Sequence, residues 1–376
     1  MFFVCDLHLV QCLLFSSIDF CSCRLLSPGL CNDIRKKGSC KIALTKSVVS
    51  CILNSMTDDT SKGDCLMGAV SFQEYPLKQV LRLLLTDKTT QENIIFATDG
   101  YESLGEEYSA KNQITVEKIT NPDFALLRRF DKDASQQQGR TRVNAEVMTP
   151  AWVINKMVSH ADEEWFGRPE VFNVQNDDHT WSVKTQEIRF PKGKTWQEYV
   201  ESRRIEITCG EAPYIVSRYD TTTGEEIQIK NRIGMLDRKL RIVGENTDSE
   251  SEWMKWTIRA FQSVYGYEFQ GDNLLLARIN LLLTFVEYLD AKWHRKPTNP
   301  ELRKIANIIS WNIWQMDGLT KTIPYSKKQE AEQQGFLDMF FETEMQKDKE
   351  KISPPCRIYD WRANKSIAFD QINYTV

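Results

Sequence analysis

Glutamate and tryptophan are missing from the first 55 residues of this 376-residue chain: the first Glu is Glu74 and the first Trp is Trp152. Cysteine is distributed the opposite way. Seven of the ten (Cys5, Cys12, Cys21, Cys23, Cys31, Cys40, Cys51) fall within the first 51 residues, and after Cys65 only Cys209 and Cys356 remain. Such a distribution argues against a disulfide framework for the whole chain. The opening "MFFVCDLHLVQCLLFSS" lacks the basic start and small-residue cleavage site of a signal peptide, and it carries Asp6. Residues 1–55 are therefore read as a poorly structured or mis-translated segment, with the folded protein starting near Met56.

Other absences narrow the function classes. No apolar run reaches about 18 residues, so no membrane span is indicated and a cytoplasmic location is expected. A net charge of -4 gives no global basic field, so contact with nucleic acid would need a local patch. The only histidines are His8, His160, His179 and His294, none beside a candidate nucleophile. No His/Cys/Asp spacing suits zinc, so no metal is expected. No G-x-G-x-x-G follows a strand-like run, which argues against a dinucleotide-dependent dehydrogenase. No period of 20 to 50 residues repeats.

What is present describes a large folded chain. Hydrophobic residues make up 41% and charged residues 27%, enough to bury a sizeable core in one large domain or two ordinary ones. The apolar spacing of "EYPLKQVLRLLLTD" (74–87) predicts an amphipathic helix and "NIIFAT" (93–98) a short strand, together a small helical subdomain over 56–130. "DKDASQQQGRTR" (131–142) reads as a linker. In "EVMTPAWVINKMV", Thr149 suits an N-cap and Pro150 the first helical position. Three strand candidates follow, "RIEIT" (204–208), "YGYEF" (265–269) and "WNIWQM" (311–316). "GDNLLLARINLLLTFVEYLDAKW" (271–293) is a helix apolar on well over half its circumference, and so packed on a sheet. Strand, helix, strand, helix, strand predicts an α/β fold with a parallel sheet. Residues 326–376 form a charged C-terminal segment. The tryptophans between 152 and 314 are read as core, and the basic clusters "RRIEI" and "DRKLR" as solvated surface.

In a doubly wound sheet, ligands sit beyond the carboxyl ends of the strands. The first strand runs into Glu206 and then Cys209-Gly210-Glu211-Ala212, small residues that let a ligand approach the backbone before a helix begins around Pro213. The second ends at Glu268, where a carboxylate can accept both hydroxyls of a ribose. The third ends at Asp317, where a carboxylate can accept an amino hydrogen of adenine.

Taken in order, these stretches resemble DNA adenine methyltransferases. "IEITCGEAPYI" is similar to their first motif, matching at Glu206, Cys209, Gly210, Ala212, Pro213 and Tyr214; Ile207 stands where Pro is usual and Ala212 where Gly is usual. "AEVMTP" resembles the element that precedes the first motif in the gamma arrangement, which puts Thr149 and Pro150 at the cofactor's amino-acid end. "YGYEFQGDNLLLARINLL" resembles the second motif, with Glu268 in the ribose-binding position. "IWQMDGL" resembles the third, with Asp317 in the adenine-binding position.

The resemblance implies a Rossmann-like sheet with helices on both faces over 140–325, S-adenosylmethionine as cofactor and double-stranded DNA as substrate. Such methylases belong to restriction and modification systems, so a restriction or specificity subunit is the expected partner. The cofactor site would comprise Thr149, Pro150, Glu206, Cys209, Gly210, Ala212, Glu268 and Asp317.

Two departures limit the match. Gly210 and Glu268 lie far more than about 20 residues apart, which makes "RYDTTTGEEIQIKNRIGMLDRKLRIVGENTDSESEW" an insertion. The family's catalytic motif, an Asp, Asn or Ser followed by Pro-Pro and an aromatic, has as its nearest match "SPPC" (353–356), whose Cys356 cannot stack on a flipped base. Catalytic residues are therefore unassigned and the chain is expected to be incomplete. The alternative reading is a non-catalytic cofactor-binding or interaction subunit of a restriction-modification complex.

Overall fold

In the computed structural model the described residues are 70–132, 148–328 and 352–371, with the backbone alone described at 327, 328, 352 and 353. Residues 1–55, most of the expected linker and most of the charged run after Lys327 lie outside them.

A three-stranded parallel sheet organises the molecule: β3 (Arg204–Glu206), β4 (Val264–Glu268) and β5 (Ile313–Gln315), adjacent in sequence order. The three strand predictions hold in place: β3 ends two residues early, β4 is shifted by one residue toward the N-terminus, and β5 loses two residues at its start and one at its end. Two helices, α5 (Met235–Glu245) and α6 (Glu250–Gln262), connect β3 to β4. Two more, α7 (Gly271–Trp293) and α8 (Asn299–Asn312), connect β4 to β5. The bounds of α7 are those predicted, because its apolar run buries most of its circumference. A capping box closes the start of α8: Thr298 and Glu301 satisfy each other's backbone N–H groups.

Upstream lie α1 (Leu77–Leu85), the single-turn α2 (Val116–Ile119), α3 (Ala151–Phe166) and the short α4 (Trp196–Glu201), with a hairpin of β1 (Asn173–Gln175) and β2 (Trp181–Val183) between α3 and α4. The backbone of β6 (Lys327–Lys328) pairs in parallel with that of β7 (Ile352–Ser353). An antiparallel hairpin, β8 (Arg357–Asp360) and β9 (Lys365–Ala368), closes the described chain. All described residues belong to one compact unit.

The sheet's two faces are covered differently. Val264 and Ile313 face the main core, shared with Leu240, Phe261, Leu282 and Ile309 of the four connecting helices. On the opposite face, Tyr265, Tyr267, Trp314 and Met316 pack against Cys356, Ile358 and Phe369. Among the described residues that face is therefore covered by the C-terminal hairpin, where helices on both faces were expected. Of the tryptophans between 152 and 314, Trp253 and Trp314 are buried as read, whereas Trp152, Trp165, Trp181, Trp196, Trp256, Trp293 and Trp311 are half-buried.

Three local expectations are corrected. The "NIIFAT" stretch forms only isolated bridges, Thr86 to Asn93 and Ile95 to Gln113. Its backbone is engaged by scattered backbone partners and by one side chain: the Ile94, Phe96 and Ala97 N–H groups donate to the carbonyls of Leu85, Asn112 and Ala110, while Gln315 Oε1 accepts the Ile95 N–H at 2.9 Å and Nε2 donates to the carbonyls of Ile95 and Phe269. The basic clusters are not solvated. Arg204 and Arg238 are buried on the carboxylate of Asp162, at 3.1 and 2.6 Å, and Lys239 is buried donating to the Val200 and Ser202 carbonyls and Ser263 Oγ. Buried charge is tolerated where partners meet it.

The third correction concerns Pro213. No helix begins there; residues 212–216 make one α-turn, with Ile215 and Val216 N–H bonded to the Ala212 carbonyl. The chain then leaves, turns through Tyr219–Glu226, and returns so that Met235 and Leu236 donate to the carbonyls of Tyr214 and Ile215. The turn and α5 together make one helical stack interrupted by an excursion over 217–234. Gly234 permits the junction, since a Cβ there would lie 2.5 Å from the Ile215 carbonyl oxygen. The expected insertion thus narrows to that excursion, and α5 and α6 are the crossover itself.

Candidate functional site

The loop after β3 is built from unusual backbone. Thr208, Gly210 and Ala212 all have positive φ, at 48°, 53° and 62°. Left-handed conformations at non-glycine residues are uncommon and persist where surrounding contacts hold them. Here the contacts are carboxylates. Glu206 Oε1 and Oε2 accept the N–H groups of Tyr214 and Ile215, at 3.4 and 3.1 Å, and Glu268 Oε2 accepts that of Gly210 at 2.8 Å. The second oxygen of Glu268 accepts the Gln270 N–H at 3.1 Å. Two acidic residues from the ends of adjacent strands therefore organise the loop from both sides.

Burial controls their electrostatics. The Glu206 carboxyl is pushed well above the usual carboxylate range, by loss of water first and by the nearby Glu268 second. The Cys209 thiol is pushed up by burial and by both carboxylates, which keeps it a protonated, unreactive thiol at neutral pH. Cys209 packs against β4 at Gly266, where a Cβ would lie 3.3 Å from its sulfur. It is a wall of the site rather than a nucleophile.

The other expected residues occupy distinct positions. Asp317 follows β5 and closes a turn, with Oδ1 accepting the Leu319 and Thr320 N–H groups at 2.8 and 3.4 Å; among the described residues its Oδ2 has no bond. Pro150, not Thr149, is the N-cap of α3, so the helix begins one residue later than expected, and the N–H of the buried Ala151 is met by Asp220 Oδ2 at 2.8 Å. The Thr149 carbonyl accepts the Thr221 hydroxyl at 3.1 Å. Tyr219, beside that turn, donates to Glu211 Oε2 at 2.5 Å. The Thr149–Ala151 stretch thus connects through the excursion to the loop after β3. Glu206, Cys209, Gly210, Ala212 and Glu268 form one cluster; Thr149 and Pro150 border it at second hand, and Asp317 lies one strand further on.

Several residues at this end of the sheet were missed by sequence reasoning. Gln315 seals the Ile95 segment over the ends of β4 and β5. Asp272 is fully buried at the start of α7, accepting Tyr101 Oη at 3.1 Å and paired with Lys132 Nζ at 3.4 Å. Asn280 donates to the Glu211 carbonyl at 3.0 Å. Gln270 and Asn273 are buried with polar atoms that have no hydrogen-bond partner. The signal for the α7 residues was visible: Asp272, Asn273 and Asn280 are polar interruptions in an otherwise apolar helix.

Two cavities lie elsewhere. A cavity of about 590 Å³ runs along the outer side of α1, lined by residues including Phe72, Lys78, Arg82 and Arg303, and one of about 20 Å³ lies among Arg203, Arg259, Tyr265 and Trp361. Neither includes Glu206, Gly210, Glu268 or Asp317. The candidate site is defined by convergent polar groups at strand ends, which the larger cavity lacks. Among the described residues no group of His, Cys, Asp and Glu has the arrangement of a metal site, and no helix is long and apolar enough to cross a membrane. The chain matches no family model, no curated protein and no solved structure.

Proposed function

We propose that this site binds S-adenosylmethionine and that the chain is the cofactor-binding part of a DNA adenine methyltransferase with a Rossmann-like sheet, acting on double-stranded DNA in a restriction-modification system. One observation carries the reading. The segments that resemble the first, second and third methyltransferase motifs end adjacent parallel strands in that order, and the Gly210–Glu268 hydrogen bond joins the first to the second.

The residues fit such a ligand. Glu268 presents a carboxylate at the end of β4, anchored by the Gly210 and Gln270 N–H groups, and a carboxylate is the acceptor that ribose hydroxyls call for. Asp317 Oδ2 suits the adenine amino group. Gly210 and Ala212 keep the loop narrow enough for close approach of the methionine part. Orphaned polar atoms at Gln270 and Asn273 mark a place where a polar partner is missing from the protein itself. When bound, the cofactor supplies a methyl group on a sulfonium centre.

A non-catalytic role is favoured by a specific observation. Cys356, of the "SPPC" sequence, is buried, its sulfur donating to the Gln315 carbonyl at 3.4 Å and its N–H to the Lys321 carbonyl at 2.8 Å. This places it against β5, two strands from the loop after β3 and so roughly 10 Å away across the sheet. From there it does not serve as an acceptor for an adenine beside that loop.

Calorimetry on the full chain with S-adenosylhomocysteine tests the reading. Binding is expected, weakened by about 1–3 kcal/mol in Asp317→Ala and in Glu268→Ala. A folded sample that binds nothing overturns it. Binding without transfer of labelled methyl groups to duplex DNA selects the cofactor-binding subunit over the enzyme.

A further inference from the structure

Glu211 lies inside the loop after β3, between Gly210 and Ala212, and its side chain is buried. Its carboxylate is engaged from other parts of the chain. Oε1 accepts the Arg129 N–H at 2.6 Å and Oε2 the Tyr219 hydroxyl at 2.5 Å. Asn280 of α7 donates to the Glu211 carbonyl at 3.0 Å and to Tyr219 Oη at 3.1 Å. Four segments therefore meet at this one residue: the loop after β3, the excursion, α7, and the run 128–132.

That run bridges the two sides of the candidate site. The Arg128 guanidinium sits 5.0 Å over the Tyr219 ring, and the Phe130 ring covers Gly224 so closely that a Cβ there would lie 2.4 Å from it. At the far end, Lys132 Nζ lies 3.4 Å from Oδ2 of the buried Asp272, at the start of α7. Residues 128–132 thus span the loop after β3 and the start of α7, the same two elements that Glu268 holds through Gly210 and Gln270.

Its attachment is of a kind that can release. The run is a single 3₁₀ turn, Arg129–Asp131, whose two backbone bonds, Asp131 N–H to the Arg128 carbonyl and Lys132 N–H to that of Arg129, are internal. Among the described residues no backbone–backbone hydrogen bond ties it to another element. Phe130 is 44% exposed, so lifting its ring gives up little buried area. A segment held by side chains opens at a fraction of the cost of unfolding, the property of lids that gate a site. The carboxylate anchors at its two ends define one closed position.

We propose that residues 128–132 are a strap over the loop after β3, latched by Glu211, and that ligand enters and leaves the site by opening of this strap. Glu211 is thereby a positioning residue. The inference rests on the cofactor reading and adds to it the step that controls exchange.

The test follows release of radiolabelled S-adenosylhomocysteine from the full chain during a chase with excess unlabelled compound, with Kd from calorimetry and the melting temperature of each variant. Phe130→Ala should melt within about 3 °C of wild type, as a change at a half-exposed site does. Its release should be about five- to tenfold faster with Kd within about twofold, so that association accelerates in proportion, because a gate changes both rates and leaves the equilibrium alone. Glu211→Gln keeps the shape and weakens the charge-assisted latch, and should act in the same direction. Wild-type exchange rates in both variants overturn the strap and leave the cofactor reading intact. So does weaker affinity at an unchanged association rate, which marks a lost ligand contact, and so does unfolding of Phe130→Ala, which marks the run as core. A folded wild-type chain that binds no S-adenosylhomocysteine overturns both.

Discussion

Glu268 Oε2 accepts the Gly210 N–H at 2.8 Å across the boundary between two adjacent strands, while Oε1 of the same carboxylate holds Gln270. A single side chain thus fixes both the loop after β3 and the start of α7. Glu268→Gln replaces one acceptor oxygen by an N–H group facing a backbone N–H. The variant is expected to lose about 1–3 kcal/mol in urea denaturation, through one backbone donor left unmet. Wild-type stability would show that the loop stands without this contact.

Stability should depend on pH through Glu206. Its folded carboxyl is raised well above the ordinary value of 4.5 by burial and by Glu268. A raised folded value means that the contribution is fully present below 4.5 and is lost as the pH rises through the folded value. Glu206→Gln carries no titrating group, so its melting temperature relative to wild type should rise steadily as pH increases from 4.5. A difference that stays flat or shrinks with rising pH would contradict the assignment.

Two glycines should respond oppositely to alanine. At Gly271 a Cβ would lie 1.9 Å from the Ile95 carbonyl oxygen, a backbone atom that cannot give way cheaply. Gly271→Ala should cost about 1–3 kcal/mol, or displace the 94–97 segment from the strand ends. At Gly244, inside α5, a Cβ would meet nothing within 4 Å. Gly244→Ala should stabilise by about 0.5–1 kcal/mol, the helix preference for alanine. Chemical denaturation of the pair checks both, and equal responses would show that the close approach at Gly271 is not a constraint.

Elements whose identity rests on local periodicity were legible in advance. The bounds of α7 follow from an apolar run bracketed by a glycine and a histidine in left-handed conformation, and β3, β4 and β5 from short runs rich in β-branched and aromatic residues. The order of polar residues at strand ends was equally legible, since each follows its strand directly in sequence. Glu206, Gly210 and Glu268 could be named as a group for that reason.

What only the tertiary structure decided were matters of partner choice. No local pattern could reveal that Gln315 would meet both backbone groups of Ile95, or that Asp162 would draw Arg204 and Arg238 inward. The same holds for the break after Ile215, where the chain departs and α5 later resumes the turn. The charged sequence after residue 326 concealed Cys356, Ile358 and Phe369, because three well-spaced apolar residues carry no periodicity until a hairpin aligns them on the sheet. The amino-acid sequence determined which segments are strands and helices and which polar groups end them, because those depend on neighbours along the chain. The direction of Glu268 toward Gly210 depends on residues dozens of positions apart, and only folding brings those together.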